Sequence, residues 1–73
     1  VEIKLISAVW CSGCKQLKEM FDSRGIKYEV IDFDTDEGFK LASELNVRSL
    51  PTAVVNGEVA TGVLDILRLV KVQ

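Results

Sequence analysis

The hydrophobic pattern changes period between residues 9 and 14, and this change limits the possible folds more than any other feature. Up to Val9 the chain is a short apolar run containing Ile3, Leu5, Ile6, Ala8 and Val9. Such a run over residues 2–9 reads as a buried strand. From Cys14 onward, Cys14, Leu17, Met20 and Phe21 recur at helical spacing, with Lys15, Lys18, Glu19 and Asp22 on the opposite face. A strand leading directly into an amphipathic helix opens a βαβ unit. Both cysteines of the chain, Cys11 and Cys14, stand at that junction, and the chain has no His. Two cysteines three apart on a βα junction read as a dithiol/disulfide redox site.

The remaining segments continue the alternation. Ser23-Arg24-Gly25 closes the first helix, with Gly25 as the residue just past its end. Residues 26–33, rich in Ile, Tyr, Val and Phe, read as a second strand. Asp34-Thr35-Asp36-Glu37 starts a second helix: Asp34 or Thr35 caps it, and Glu37 follows Asp34 at the spacing of a capping box. Leu41, Ala42 and Leu45 form its apolar face, and Asn46 ends it. Residues 47–52 are a loop holding the only proline, Pro51. Two short apolar stretches then flank Asn56-Gly57, a strong signal for a two-residue hairpin because a type I′ turn requires positive φ at both positions. Val63, Ile66, Leu67 and Val70 share a stripe of a last helix, with Asp65 early and Lys71 late, as the helix dipole favours. The order is β-α-β-α-β-β-α. A right-handed crossover makes the first two strands parallel, and the hairpin adds an antiparallel pair.

Composition excludes several functions. The net charge of −2 carries no basic stripe for nucleic acid. No run of about 18 apolar residues is present to span a membrane. The 73 residues, 48% hydrophobic, suit one domain, residues 1–73, and a monomer is expected. No secretory pattern is found, and an initiator Met or leader removed ahead of Val1 is compatible with the sequence. Two cysteines this close would not staple a secreted scaffold, so a cytoplasmic location is expected.

Trp10-Cys11-Ser12-Gly13-Cys14-Lys15 resembles the active-site segment of thioredoxins, W-C-x-x-C-K. Asn46-Val47-Arg48-Ser49-Leu50-Pro51-Thr52, followed by Asn56-Gly57-Glu58, is similar to the same proteins. The length and element order resemble glutaredoxins. The resemblance implies an α/β, minimal thioredoxin fold with a four-stranded mixed sheet flanked by three helices. It also implies a cis Leu50-Pro51 bond, where base rates alone favour trans. It implies a substrate-binding peptide groove lined by Trp10, Leu50 and Gly62, with Pro51 lying against the active-site turn of Ser12 and Gly13. Thioredoxins keep a buried acid where this chain has Leu5. Glutaredoxins hold glutathione with a basic residue, a T-V-P loop and a double-glycine-plus-Asp segment. Those places here read Ala8, Ser49-Leu50-Pro51 and Thr61-Gly62-Val63-Leu64. A thioredoxin-reductase-type flavoprotein is therefore expected as electron donor ahead of glutathione. Disulfide-containing proteins are the expected substrates, ribonucleotide reductase among the candidates.

A thiolate is the nucleophile in disulfide exchange. Cys11 precedes the helix, where free N–H groups and the positive dipole end favour an anion, and a CxxC environment typically lowers the first cysteine toward pKa ~7. Cys11 is thus the expected attacking thiol and Cys14 the resolving one, with no bound cofactor beyond their disulfide. A metal is not expected, because zinc takes four ligands and only two cysteines are available. Three bland readings stand beside these: Trp10 as a packing residue, Lys15 as a solvated helix residue, and the acidic run Asp32 to Glu37 as a capped helix start. Two other functions stay open, a glutathione-dependent glutaredoxin and a binding module switched by the dithiol without turnover.

Overall fold

The computed structural model describes residues 2–72, which form β1 (Ile3–Ser7), α1 (Ser12–Ser23), β2 (Glu29–Asp32), α2 (Asp36–Glu44), β3 (Thr52–Val55), β4 (Glu58–Thr61) and α3 (Val63–Val72). The order matches the sequence reading. The strands form one mixed sheet in the order β2-β1-β3-β4. β1 runs parallel to β2, while β1–β3 and β3–β4 are antiparallel.

Side-chain alternation sorts the sheet into two faces. Ile3, Leu5, Ala53 and Val55 pack with Leu17 and Phe21 of α1 and Ile66 of α3 into the main core. Ile6 and Thr52 have the opposite parity and are also fully buried, so the second face is covered at these positions too, and α2 packs against β2. Phe21 is fully buried and tilts against Tyr28, ring centroids 5.2 Å apart. Burying a ring of this size contributes about 2–3 kcal/mol.

The ends of the elements follow from particular residues. α1 stops at Gly25, φ 69°, where Gly25 N–H donates to Asp22 O and Ile26 N–H to Phe21 O. This is a Schellman closure. α2 ends the same way with Asn46 at φ 57°, as Asn46 N–H meets Ser43 O and Val47 N–H meets Ala42 O. Asn56 and Gly57 take positive φ and form the expected hairpin. Two expectations need correction. β1 stops at Ser7, and Val9 is 93% exposed in a turn, because the chain reverses there through a Cys11 N–H to Ala8 O bond of 3.1 Å. The start of α2 is no capping box. Thr35 is the cap, and its hydroxyl accepts from Gly38 N–H at 3.0 Å.

Candidate active site

The site lies where the carboxyl ends of β1 and β2 meet. Their parallel pairing sets Ser7 level with Asp32, so the residues that follow each strand become neighbours. After β1 the turn delivers Cys11 as the N-cap of α1, with extended backbone at φ −96°, ψ 106°. Its sulfur accepts the Cys14 backbone N–H at 3.1 Å. One of the helix's unsatisfied amide donors is thereby aimed at the sulfur. Cys11 and Cys14 form a disulfide, with Cα atoms 5.3 Å apart.

Both cysteines are buried, but not equally. Cys11 is 8% exposed, whereas Cys14 is fully buried with its sulfur 3.8 Å from the Ile6 carbonyl oxygen. Ala8, Cys11 and Cys14 make a small core of their own, closed by Phe33 and Leu50. Leu5 belongs to the main core, so the strand offers no carboxylate at that position.

Loop 47–51 closes the other side. The Leu50-Pro51 bond is cis and Pro51 is buried. A Cβ placed on Gly13 would meet Pro51 Cδ at 3.0 Å and Val63 Cγ2 at 3.3 Å, so the CxxC turn, the proline loop and the start of α3 meet at Gly13. Gly62, φ 92°, donates its N–H to Pro51 O at 2.9 Å. Thr52, fully buried, fixes the loop by donating its hydroxyl to Ser49 O at 2.8 Å.

A groove of about 310 Å³ opens beside the cysteines, lined by Trp10, Phe33, Val47, Arg48, Ser49 and Leu50. Trp10 is 64% exposed and meets Phe33 edge-on. Of the residues expected at the site, Cys11, Cys14, Gly13, Leu50, Pro51 and Trp10 converge here. Gly62 and Pro51 are not among the groove's lining residues; Pro51 meets the CxxC turn at Gly13, and Gly62 bonds to Pro51. Ser12 is exposed at the first position of α1. In sequence Phe33 shows only as a strand residue, and Asp34, which accepts the Trp10 indole N–H, only as a cap. The parallel register of β1 and β2 is the signal that would have placed both beside the CxxC turn.

The family model for glutaredoxins matches residues 3–60. The chain belongs to the glutaredoxin family. Among curated proteins, this glutaredoxin-family chain is 45% identical over 49 residues to thioredoxin of Borreliella burgdorferi, covering 62% of the chain and 42% of that protein. Against thioredoxin 1 of a Nostoc species it is 33% identical over 52 residues, 66% of the chain and 49% of that protein. The matched stretch thus spans about half or less of these relatives' length. Among solved structures, the thioredoxin-like protein BC3987 is 27% identical with a TM-score of 0.78, covering 97% of this chain and 99% of its own. The glutaredoxin-like NrdH-redoxin from Escherichia coli shares the fold, with a TM-score of 0.80 at 21% identity over 94% of this chain and 93% of its own. The chain is a thioredoxin/glutaredoxin-like redox protein with a paired CxxC. No helix among the described residues is long and apolar enough to cross a membrane.

Proposed function

We propose that this chain reduces protein disulfides by dithiol exchange, with Cys11 attacking and Cys14 resolving. The observation that carries this reading is the division of labour at the N-terminus of α1. The less buried cysteine, Cys11 at 8% exposure, receives a helix amide, while its partner lies fully buried one turn behind. The amide and the helix dipole favour the Cys11 thiolate. That thiolate attacks one sulfur of a substrate disulfide, forming a Cys11 mixed disulfide and expelling the other sulfur as a thiolate that takes a proton from water. Deprotonated Cys14 then attacks the Cys11 sulfur. The mixed disulfide breaks, the second substrate thiolate leaves, and Cys11–Cys14 is oxidised. Two electrons have passed to the substrate, and a donor reductase must return them.

Trp10, Leu50 and Pro51 serve as the surface against which a substrate segment lies, with Ser12, Gly13 and Gly62 shaping the turn beside it. The edge of loop 47–51 suits an extended chain added in strand fashion. A thioredoxin-reductase-type flavoprotein is the proposed donor, and disulfide-bearing proteins, ribonucleotide reductase among them, are the proposed targets of a monomer. The identities to thioredoxins support this donor. So does buried, uncharged Ala8 at the place where a glutathione site needs a cation. The match to the glutaredoxin family keeps one second reading, a glutathione-dependent enzyme working through Cys11 alone.

Insulin reduction separates the two readings. Turnover is expected with NADPH and thioredoxin reductase, and should vanish in Cys14→Ser. Turnover only with glutathione and its reductase, together with deglutathionylation that survives in Cys14→Ser, would replace the first reading by the second. No turnover with either donor would leave a redox-switched binding module.

A further inference from the structure

The acidic turn between β2 and α2 makes a contact that the exchange reaction above does not use. Asp34 lies two residues beyond β2, at the end of the sheet that carries the CxxC turn. Its Oδ2 accepts a hydrogen bond from the Trp10 indole N–H at 3.2 Å. The indole also meets Phe33 edge-on, with centroids 6.3 Å apart and planes at 89°, and Phe33 tilts against Phe39 at 5.6 Å.

Asp34 sits on a firmly held turn. Its own N–H donates to Asp32 Oδ1 at 2.9 Å. The Thr35 N–H and hydroxyl both donate to Asp32 O, at 3.1 and 2.7 Å. Trp10, in contrast, is largely exposed and follows the fully solvated Val9. An exposed indole gives up rotamer freedom only where some partner fixes it. Here the partners are a carboxylate and the edge of Phe33, both supplied by the β2–α2 turn.

We propose that Asp34 is a positioning residue for the exchange reaction: by holding the Trp10 indole against Phe33, it fixes the wall of the groove that receives the substrate segment beside Cys11. This proposal rests on the disulfide-exchange reading. Trp10 is the residue immediately before the nucleophile and lines the groove with Phe33 and Leu50. A wandering indole would therefore either occupy the groove or leave it without a wall. Small disulfides do not need that wall, whereas polypeptide substrates do.

The test compares the 73-residue chain with its Asp34→Ala and Asp34→Asn variants and the control Asp36→Asn, which neutralises another acid of the same run. The chain has a single Trp, so emission wavelength and anisotropy read this indole alone. In Asp34→Ala the emission is expected to shift to the red and the anisotropy to fall. KM for insulin should rise about three- to tenfold, the range a single hydrogen bond corresponds to. The kcat, and the rate with the small disulfide cystamine, should stay within about twofold. Asp34→Asn keeps an acceptor oxygen and should behave as wild type, as should Asp36→Asn. Unchanged anisotropy and KM in Asp34→Ala would overturn the proposal. So would equal defects in Asp34→Ala and Asp34→Asn, which would make charge the cause, or an equal loss with cystamine, which would make the effect general. A wild type that reduces neither disulfide refutes the exchange reading, and the anisotropy series then still decides whether Asp34 holds the indole.

Discussion

Replacing Gly38 by Ala should damage this protein far more than an exposed-looking helix start suggests. Gly38 is the third residue of α2 and is buried. A Cβ there would stand 2.6 Å from the Asp32 carbonyl carbon, nearer still to its oxygen, and 3.1 Å from Thr35 Oγ1. The obstruction is backbone, held by the two bonds from Thr35, so no flexible side chain can yield. Forcing a methyl into a packed site costs about 1–3 kcal/mol, here at the upper end. Displacing the Thr35 cap adds about 1 kcal/mol, and the better helix propensity of Ala returns about 1 kcal/mol. The net loss is about 3 kcal/mol. A chain this small has a total stability of roughly 4–11 kcal/mol, so the midpoint of thermal unfolding should fall by roughly 12–24 °C. Urea unfolding followed by circular dichroism measures the difference directly. A variant within about 0.5 kcal/mol of wild type would refute the packing argument, since a surface substitution free of such contacts stays in that range.

Gly13→Ala should be milder, because Pro51 Cδ and Val63 Cγ2 lie at 3.0 and 3.3 Å from the new Cβ. A loss of about 1 kcal/mol is expected from urea unfolding, with a severalfold fall in insulin-reduction kcat/KM as the CxxC turn shifts. In the reduced protein, iodoacetamide should alkylate Cys11 first and Cys14 at least about tenfold more slowly. Peptide mapping by mass spectrometry reads this, and equal labelling of both would contradict the burial of Cys14. The only tyrosine, Tyr28, should ionise above its ordinary value of 10.0, raised by burial and then by the hydrogen bond to and charge of Asp22. Since the fold favours the neutral phenol, its contribution to stability is complete below pH 10 and is lost as pH rises through the raised value. Phenolate absorbance during alkaline titration checks this, and Asp22→Asn should move the titration only part of the way back.

Much of this fold could be read in the chain because each boundary had a local chemical cause. Gly25 and Asn46 are legible as helix ends and the Asn56-Gly57 pair as a positive-φ turn, and all four take positive φ. The helix stripes were legible from spacing, and Cys14, Leu17, Phe21, Ala42 and Ile66 are buried. The unread parts depend on neighbours distant in sequence. Nothing beside Gly38 in the sequence shows that α2 will press on the Asp32 carbonyl, and the Asp34–Glu37 spacing suggests a capping box instead. Val9 is as apolar as any strand residue, and only the reversal needed to bring Cys11 to the helix end sets it in solvent. At the site, the cysteine pair was plain from four residues. Phe33 and Asp34 reach Trp10 only through the pairing of β1 with β2, a relation that becomes visible once the register is known.

The cap of α1 differs from an ordinary one in a way that matters for how the molecule works over time. Most helices begin on a side-chain oxygen that keeps its chemistry for the life of the protein. Here the first turn is tied to a sulfur whose charge and covalent partner would change during the proposed exchange. The Cys14 amide already meets this sulfur in the disulfide, and a hydrogen bond to the anionic thiolate would be stronger. On the exchange reading, the start of the helix is thus joined to the atom on which the reaction turns.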